Sequence, residues 1–484
     1  MSDALPFLVT VPFVAAVVPP VLARRYDRVG WPVAVVGLLA QTGLAGWVAW
    51  AVVTSGPMRL VVGGLPAVLG IELAVDRLSA AFVLLVAVAG LWGLAYTRRG
   101  GPRSATGYSL YLLLIAGLTG ICITRDVFNL YVFLEISGLS AYALVALGDG
   151  PDAAPAALKY LLLGTVGASL YLLGIGYLYF GTGTLNMDAL ARTLPAVGYG
   201  NRLVLGAFGL IAAGLGVKIA LYPVHTWKPD AYRAAPAGLT AVLAALVSTI
   251  AAYALVRLVI SAFTLRFLAS TPGLVAALQA TAVVSIVAGA VLALRQRDVR
   301  RLLACSSISQ FGIGVAGLSL GTRLGVVGGV VHLVGHAVMK SGAFAAAGVV
   351  ETAYGARTVD EYAGAADSLP ITSAAFATLV LGLIGIPPLI GFFGKWYVAV
   401  SALRSGAWVV GSAVLVSTVL SLAYFARLLQ RMYFEDAAGR LDQRAVSVGM
   451  VATGVIAALV ALGLGLVSAG LVELLLPAIG GGQP

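Results

Sequence analysis

The sequence predicts an all-α polytopic membrane protein with about fourteen transmembrane helices. Of its 484 residues, 60% are apolar and 10% are charged, whereas soluble domains contain about 25% charged residues. Apolar runs of roughly 20 residues, the length that crosses a bilayer, follow one another along the whole chain. Because the connections between these runs are short, we expect a single transmembrane domain over residues 1–484.

The first apolar run lacks the basic start and small-residue cleavage site of a signal peptide, so we expect it to be retained as a span. The remaining spans follow from the apolar runs between clusters of charge, glycine and proline. The predicted spans are 5–22, 30–53, 74–97, 108–123, 127–148, 158–181, 202–222, 237–261, 273–294, 301–320, 325–350, 371–392, 407–434 and 446–476.

The net charge of +11 comes from arginines in short loops, which indicates membrane topology and not nucleic-acid binding. Loops that follow odd-numbered spans hold most of them: Arg24, Arg25, Arg28, Arg98, Arg99, Arg103, Arg295, Arg297, Arg300, Arg301, Arg427, Arg431, Arg440 and Arg444. Basic loops remain in the cytoplasm. The pattern therefore predicts a cell (inner) membrane protein with both termini on the outer side.

Two apolar segments are interrupted near their middles. Pro223 lies in the segment 218–230, and Pro387 and Pro388 lie in the segment 385–396. Proline removes a backbone donor and breaks a helix, and broken helices within a membrane are tolerated where they line a polar path. Paired breaks are typical of transporters with inverted repeats. The alternative is that these prolines only kink two helices.

Lysine is rare in the chain and is confined to apolar segments or their ends. The five lysines among the 30 basic residues are Lys159, Lys218, Lys228, Lys340 and Lys395. Arginine stays charged when it is buried, whereas a desolvated lysine can release its proton. This distribution suggests that lysines were retained for proton chemistry.

Glu135 stands in the middle of span 5, where an unpaired carboxylate would cost several kcal/mol. Lys218 in span 7 is its best candidate partner. A buried carboxylate and a buried lysine can shift each other's proton affinity, which favours proton transfer. The alternative is a static ion pair that holds two helices together.

His332, His336 and Lys340 follow one another at i, i+4 and i+8, so they line one face of span 11 over roughly 12 Å. Histidine and desolvated lysine both suit a proton relay. A histidine pair at this spacing could also bind a metal, but no acidic or cysteine cluster completes such a site. Core histidines that bond to neighbours are another alternative.

Further polar residues flank the two breaks. Lys395 follows the second break and is expected to face the bundle interior, unless it extends to the membrane surface. His225 and Asp230 flank the first break and could bond to freed backbone groups. Asp76 and Glu72, just before span 3, are candidate helix caps. The cysteines Cys122 and Cys305 form no CxxC motif, so we predict no cofactor and no metal.

Several segments together resemble the antiporter-like membrane subunits that are shared by Mrp-type Na⁺/H⁺ antiporters, membrane-bound hydrogenases and respiratory complex I. The resembling segments are 126–135, 217–227, 229–232, 298–310, 332–340 and 385–396. The segment 63–79 and the end of the chain after span 14 place the nearest resemblance with the Mrp D-type protein.

This resemblance implies two inverted five-helix repeats, 108–261 and 273–434, each with one broken helix. It implies a glutamate–lysine pair at Glu135 and Lys218, a central relay at His332, His336 and Lys340, and an exit-side Lys395. Two residues depart from the pattern of the family. Thr249 occupies the place of a lysine or histidine that links the two halves, and Lys228 replaces a leucine and could in part supply the missing charge.

The leading hypothesis is therefore a proton-translocating subunit of a multi-subunit monovalent cation/proton antiporter. The first alternative is a proton-pumping subunit of a redox complex, of the NADH:quinone oxidoreductase or membrane-bound hydrogenase type. The second alternative is a scaffold subunit that transports nothing. The expected partners are other membrane subunits, the lipid bilayer, protons and in the antiporter case Na⁺. The sequence indicates no redox or hydrolytic site of its own.

Overall fold

The structure is a computed structural model and describes residues 2–26, 29–64, 70–101, 104–436 and 444–480. Its helices are α1 (Phe7–Leu22), α2 (Gly30–Ser55), α3 (Arg77–Gly100), α4 (Ala105–Ile123), α5 (Val127–Ala146), α6 (Ala153–Thr182), α7 (Met187–Val197), α8 (Arg202–Ile219), α9 (Trp227–Ala234), α10 (Ala237–Leu258), α11 (Thr264–Ser270), α12 (Pro272–Leu294), α13 (Val299–Ser319), α14 (Arg323–Tyr354), α15 (Ala365–Ser368), α16 (Pro370–Ile384), α17 (Ile390–Arg404), α18 (Trp408–Phe434), α19 (Val448–Leu466) and α20 (Ser468–Gly480).

Within the described residues, 13 helical segments are long and apolar enough to cross a membrane. The helices α16 and α17, of 15 residues each, lie where the span 371–392 was predicted. The predicted polytopic helical fold is confirmed. Of the loop arginines used for orientation, Arg28, Arg103 and Arg440 lie outside the described residues, as does part of the segment 63–79.

The boundaries of the twelfth span were wrong. The segment 371–392 contains a complete break, because α16 ends at Ile384 and Gly385 adopts a left-handed conformation with φ 101°. The helix begins again at Ile390 and extends to Arg404. The predicted span 446–476 is likewise divided, since α19 ends at Leu466 and α20 begins at Ser468.

The purely α-helical prediction missed a small antiparallel hairpin. Strand β1 (Met58–Val61) pairs with β2 (Glu72–Val75) directly before α3. Glu72 was expected to cap a helix, but it lies in β2 and its carboxylate accepts a hydrogen bond from Asn186 Nδ2 at 2.8 Å. Asp76 does cap α3, since its side chain accepts a hydrogen bond from the Ser79 amide at 2.9 Å.

The centre of the bundle consists of α10, α13 and α14, whose residues are almost completely buried. Helix α14 is 32 residues long and packs against α10, α13, α16, α17 and α19. By contrast, α1, α2 and α12 bury only part of their apolar surface, as expected for helices that face lipid. The candidate relay on α14 therefore lies on one of the three most deeply buried helices among the described residues.

Small residues bring α6 and α8 into close contact. A Cβ atom at Gly214 would lie 2.4 Å from the Gly167 carbonyl oxygen, which is shorter than any normal contact. Transmembrane helices commonly approach one another through such small residues, because lipid supplies no hydrophobic force that brings helices together. This contact fixes the position of α8, the helix that carries Lys218.

A buried charge cluster joins the start of α3 to the end of α10. Asp76 Oδ2 lies 2.7 Å from both Arg257 Nη1 and Arg125 Nη2, and Arg257 also donates to Asp76 Oδ1 at 2.8 Å. Burial opposes ionisation of this carboxyl, but the two guanidinium groups hold the pKa of Asp76 well below its usual range. Asp76 is therefore a charged crosslink between these helices.

Candidate functional site

The two acid–base candidates of the predicted first repeat lie in direct contact. Lys218 is in the last turn of α8, and its Nζ atom lies 3.0 Å from Glu135 Oε1 on α5. The lysine side chain is only 6% exposed, whereas that of Glu135 is 23% exposed. The structure thus brings the predicted pair together, but the carboxylate lies at the edge of the bundle and not in its interior.

Tyr142 is a third member of this site that sequence reasoning missed. Lys218 Nζ donates a hydrogen bond to the Tyr142 hydroxyl at 2.8 Å. Tyr142 follows Glu135 by seven residues on α5, and this two-turn spacing on one helix face could have revealed it. Its ring packs edge-on against Tyr160, with the ring centroids 4.4 Å apart. The aromatic contact holds the hydroxyl against the lysine.

The three relay candidates lie on one side of α14 and are fully enclosed. His332 is 1% exposed, and His336 and Lys340 are 0% exposed. Lys340 Nζ donates to the Leu303 carbonyl at 2.7 Å and also to the Ser306 hydroxyl. Neither ring nitrogen of His336 has a hydrogen-bond partner among the described residues. Buried polar atoms normally have hydrogen-bond partners, and the ring nitrogens of His336 are an exception among the described residues.

Lys395 caps the first half of the second broken helix. Its Nζ atom donates to the carbonyl oxygens of Leu383 at 3.1 Å and Ile384 at 2.9 Å, which are the last two residues of α16. The preceding residue, Gly394, fits tightly against α14, since a Cβ there would lie 2.6 Å from His332 Cα. Lys395 therefore faces the interior, as predicted. It adjoins the start of the α14 row, by which we mean the three relay candidates His332, His336 and Lys340.

The polar residues of the first break have partners that the sequence did not predict. Asp230 was expected to bond to freed backbone groups, but its carboxylate pairs with Lys159 at 2.8 Å and with Arg301. His225 stacks on Tyr222, with the ring centroids 5.2 Å apart. The two cations that pair with Asp230 lie on other helices, Lys159 on α6 and Arg301 on α13. The spacing of residues along one helix could not predict these contacts.

The first break lies between α8 and α9, and the second lies between α16 and α17. Each break contains a cis X–Pro bond. These bonds are Tyr222–Pro223 and Pro387–Pro388. The prolines singled out in the sequence thus lie in the two non-helical connections, as predicted.

Thr249 lies on α10, the last helix of the predicted first repeat 108–261. It is 0% exposed, and its hydroxyl has no hydrogen-bond partner in the described structure. The neighbouring Ser248 donates to the Lys218 carbonyl at 3.0 Å. The residue at this position can pass a hydrogen bond, but it cannot hold a charge.

The described residues contain no cluster of three or more histidine, cysteine, aspartate or glutamate side chains that could hold a metal ion. Their chemistry is that of separate proton-holding groups. The candidates are a carboxylate and a phenol on α5, two imidazoles and a lysine amine on α14, and two further lysine amines on α8 and α17, which are halves of the two broken helices. Each of them can gain or lose a proton, depending on its surroundings.

Comparison with known proteins shows to which family the chain belongs. Residues 124–421 match the family described as "NADH:quinone oxidoreductase/Mrp antiporter, TM". The chain belongs to this family. The match includes every candidate site residue from Glu135 to Lys395, and it confirms the resemblance that the sequence motifs indicated.

Two curated members of the NADH:quinone oxidoreductase/Mrp antiporter family illustrate its range. The chain is 40% identical over 451 residues to the N-type subunit of the NADH-quinone oxidoreductase of Desulforudis audaxviator, covering 90% of this chain and 87% of that protein. It is 30% identical over 404 residues to the D-type subunit of the Na⁺/H⁺ antiporter of Bacillus subtilis, covering 83% and 79% of the two chains. The chain is thus an antiporter-like membrane subunit, and the Mrp D type is not favoured over the complex I type.

A solved structure with the same fold belongs to a third kind of assembly. The chain matches a subunit of the membrane-bound sulfane sulfur reductase, an archaeal respiratory membrane complex, with a TM-score of 0.91 and 31% sequence identity. The match covers 99% of this chain and 97% of that one. The fold is therefore one that serves in multi-subunit membrane complexes.

Proposed function

We propose that this chain conducts protons across the cell membrane as one subunit of a multi-subunit complex. The observation that carries the proposal is the contact of Lys218 Nζ with Glu135 at 3.0 Å and with Tyr142 at 2.8 Å. A lysine held between a carboxylate and a phenol has two groups with which it can exchange protons. Removal or addition of one charge changes the proton affinity of the others.

The second half of the route follows from the enclosed row on α14. In our proposal, protons reach His336, Lys340 and His332 and leave by Lys395, beside the second break. Almost complete burial supports this assignment, because ionisable groups within a membrane are costly and persist mainly at transport paths. A purely structural row would be expected to have its ring nitrogens paired, which is not the case for His336.

The complex that contains the chain is proposed to be redox-driven, with the chain in the position of an N-type subunit. Its support is the 40% identity over 90% of the chain to the N-type protein of an NADH-quinone oxidoreductase. The second candidate is a cation/proton antiporter, which is supported by the 30% identity to a D-type antiporter protein. In either case other membrane subunits are the partners, and the loop charges favour both termini on the outer side.

The decisive experiment uses the purified assembled complex in lipid vesicles with a pH-sensitive dye inside them. Lys218→Ala is expected to abolish proton uptake while the other subunits still co-purify. Arg202→Ala is the matched control, because Arg202 is exposed and lies at the opposite end of the same helix. Normal uptake by an assembled Lys218→Ala complex would refute the proposal and favour a scaffold role.

The two complex types respond to different driving forces. Proton uptake that requires electron transfer to a quinone supports the redox-driven assignment. Exchange that is driven by a Na⁺ gradient alone, without electron transfer, supports the antiporter assignment instead. The Lys218→Ala complex serves as the blank in both assays.

A further inference from the structure

Lys228 is a buried cation without an acidic partner in the described structure. It lies in α9, the second half of the first broken helix, and it is 0% exposed. Its Nζ atom donates to the Ile219 carbonyl at 2.9 Å and lies 4.2 Å from the centroid of the Phe311 ring. A buried charge is costly unless it is compensated, so this lysine requires an explanation beyond packing.

The two broken helices show the same arrangement of a lysine on a helix end. Ile219 is the last residue of α8, and Lys228 on the following half-helix donates to its carbonyl. Lys395 on α17 donates in the same way to Ile384, the last residue of α16. Lys228 thus corresponds to Lys395, which belongs to the proposed path.

Lys228 also reaches towards the second half of the molecule. The Phe311 ring that it contacts lies on α13 and packs against the His336 ring, with the ring centroids 4.6 Å apart. The lysine therefore lies between Lys218 in the first repeat and the row on α14.

At the place on α10 where a linking charge was expected, Thr249 has only a hydroxyl. We propose that Lys228 is the proton-carrying residue that joins the Glu135–Lys218 pair to His336 and Lys340. This inference rests on the proposed proton-conducting function. Lys228 would receive a proton from the first pair and pass it to the α14 row, so that proton number is conserved at each step.

The competing explanation is a static cap on the end of α8. A cation near the last carbonyls of a helix stabilises that helix, and this role requires a donor but no proton release. Arginine and glutamine can both donate to the Ile219 carbonyl, whereas neither releases a proton as lysine does. The two explanations therefore predict opposite results for these substitutions.

The test measures proton uptake by vesicles that contain the assembled complex with Lys228→Arg or Lys228→Gln. Both variants are expected to lower the uptake rate at least tenfold while the other subunits still co-purify. Arg233→Gln is the matched control, since it removes an exposed cation from the same short helix and is expected to keep the wild-type rate.

Wild-type uptake by an assembled complex with either Lys228 variant would overturn the inference. Its failure is distinct from failure of the proposed function. If Lys218→Ala abolishes uptake but Lys228→Arg and Lys228→Gln do not, the chain conducts protons without Lys228. If Lys218→Ala leaves uptake intact, the proposed function is refuted, and so is the role inferred for Lys228.

Discussion

Lys218 lies between two proton-exchanging groups, with its Nζ atom 2.8 Å from the Tyr142 hydroxyl and 3.0 Å from Glu135 Oε1. The phenol is enclosed with the lysine, whereas the carboxylate is partly exposed at the edge of the bundle. In the proposed path, a proton that arrives at Glu135 would pass from a partly exposed residue to an enclosed one. The sequence alone did not reveal this difference in exposure.

Substitution of Tyr142 by phenylalanine tests whether the phenol takes part. The variant keeps the ring contact with Tyr160 but removes one hydrogen bond to a charged group, which contributes about 1.5–3 kcal/mol. We expect proton uptake by the assembled complex to fall at least about tenfold, since about 1.4 kcal/mol corresponds to a factor of ten. Tyr177→Phe, on the outer part of α6, is the control and should leave uptake unchanged.

Substitution of Gly394 by alanine tests the contact between α17 and α14. The added Cβ would lie 2.6 Å from His332 Cα and 2.7 Å from His332 Cβ, so the two helices would have to separate. Overpacking of this kind costs typically ~1–3 kcal/mol. We expect a lower thermal unfolding midpoint, measured by the intrinsic fluorescence of the purified protein.

The control for this variant is Gly463→Ala on α19, where an added Cβ has no neighbour within 4 Å. Alanine is a better helix former than glycine, so the control is expected to keep or slightly raise the midpoint. Equal midpoints for the two variants would show that the Gly394 contact can relax without cost.

Much of the site was predictable because its chemistry is concentrated in few residues. A mid-span glutamate, five lysines and two histidines at helical spacing stand out in a chain that is 60% apolar. The lengths of the apolar runs likewise predicted the spans, and Pro223, Pro387 and Pro388 predicted the two helix breaks. These signals are local, since each can be read from a single segment.

What the sequence did not reveal depends on contacts between distant segments. Asp230 binds Lys159 and Arg301, each 71 positions away along the chain. The sequence analysis also missed helix α7 and the hairpin before α3, because both are much shorter than the apolar runs from which the spans were predicted. The position of Lys228 against Phe311 required the packing of α9 on α13, so the sequence raised the possibility of its role but could not support it.

Substitution of Lys395 by methionine tests the exit side of the proposed path. Methionine fills a similar volume, but it removes both hydrogen bonds to the end of α16 and the exchangeable proton. Proton uptake by the assembled complex is expected to fall to the background of empty vesicles. Arg404→Met, at the exposed end of the same helix, should retain uptake. Uptake near the wild-type level in the Lys395 variant would place the exit elsewhere.

Substitution of Asp76 by asparagine tests the charge cluster at the ends of α3 and α10. The variant leaves Arg125 and Arg257 buried without a counter-charge, and loss of one partner from a buried pair costs ~3–5 kcal/mol. We therefore expect a clearly lower unfolding midpoint at pH 7 for Asp76→Asn than for the wild type. Asp149→Asn, which removes an exposed loop carboxylate, should leave the midpoint unchanged.

The pH dependence of this difference follows from the lowered pKa of Asp76 in the folded protein. A carboxyl with a lower pKa in the folded state contributes its full stability above the unfolded value of about 3.9 and loses it as the pH falls towards the folded value. The gap in midpoint between wild type and Asp76→Asn should thus stay constant from pH 7 to about pH 5 and narrow only below about pH 4. A gap that already closes between pH 7 and pH 5 would mean that Asp76 is not held ionised by the two arginines.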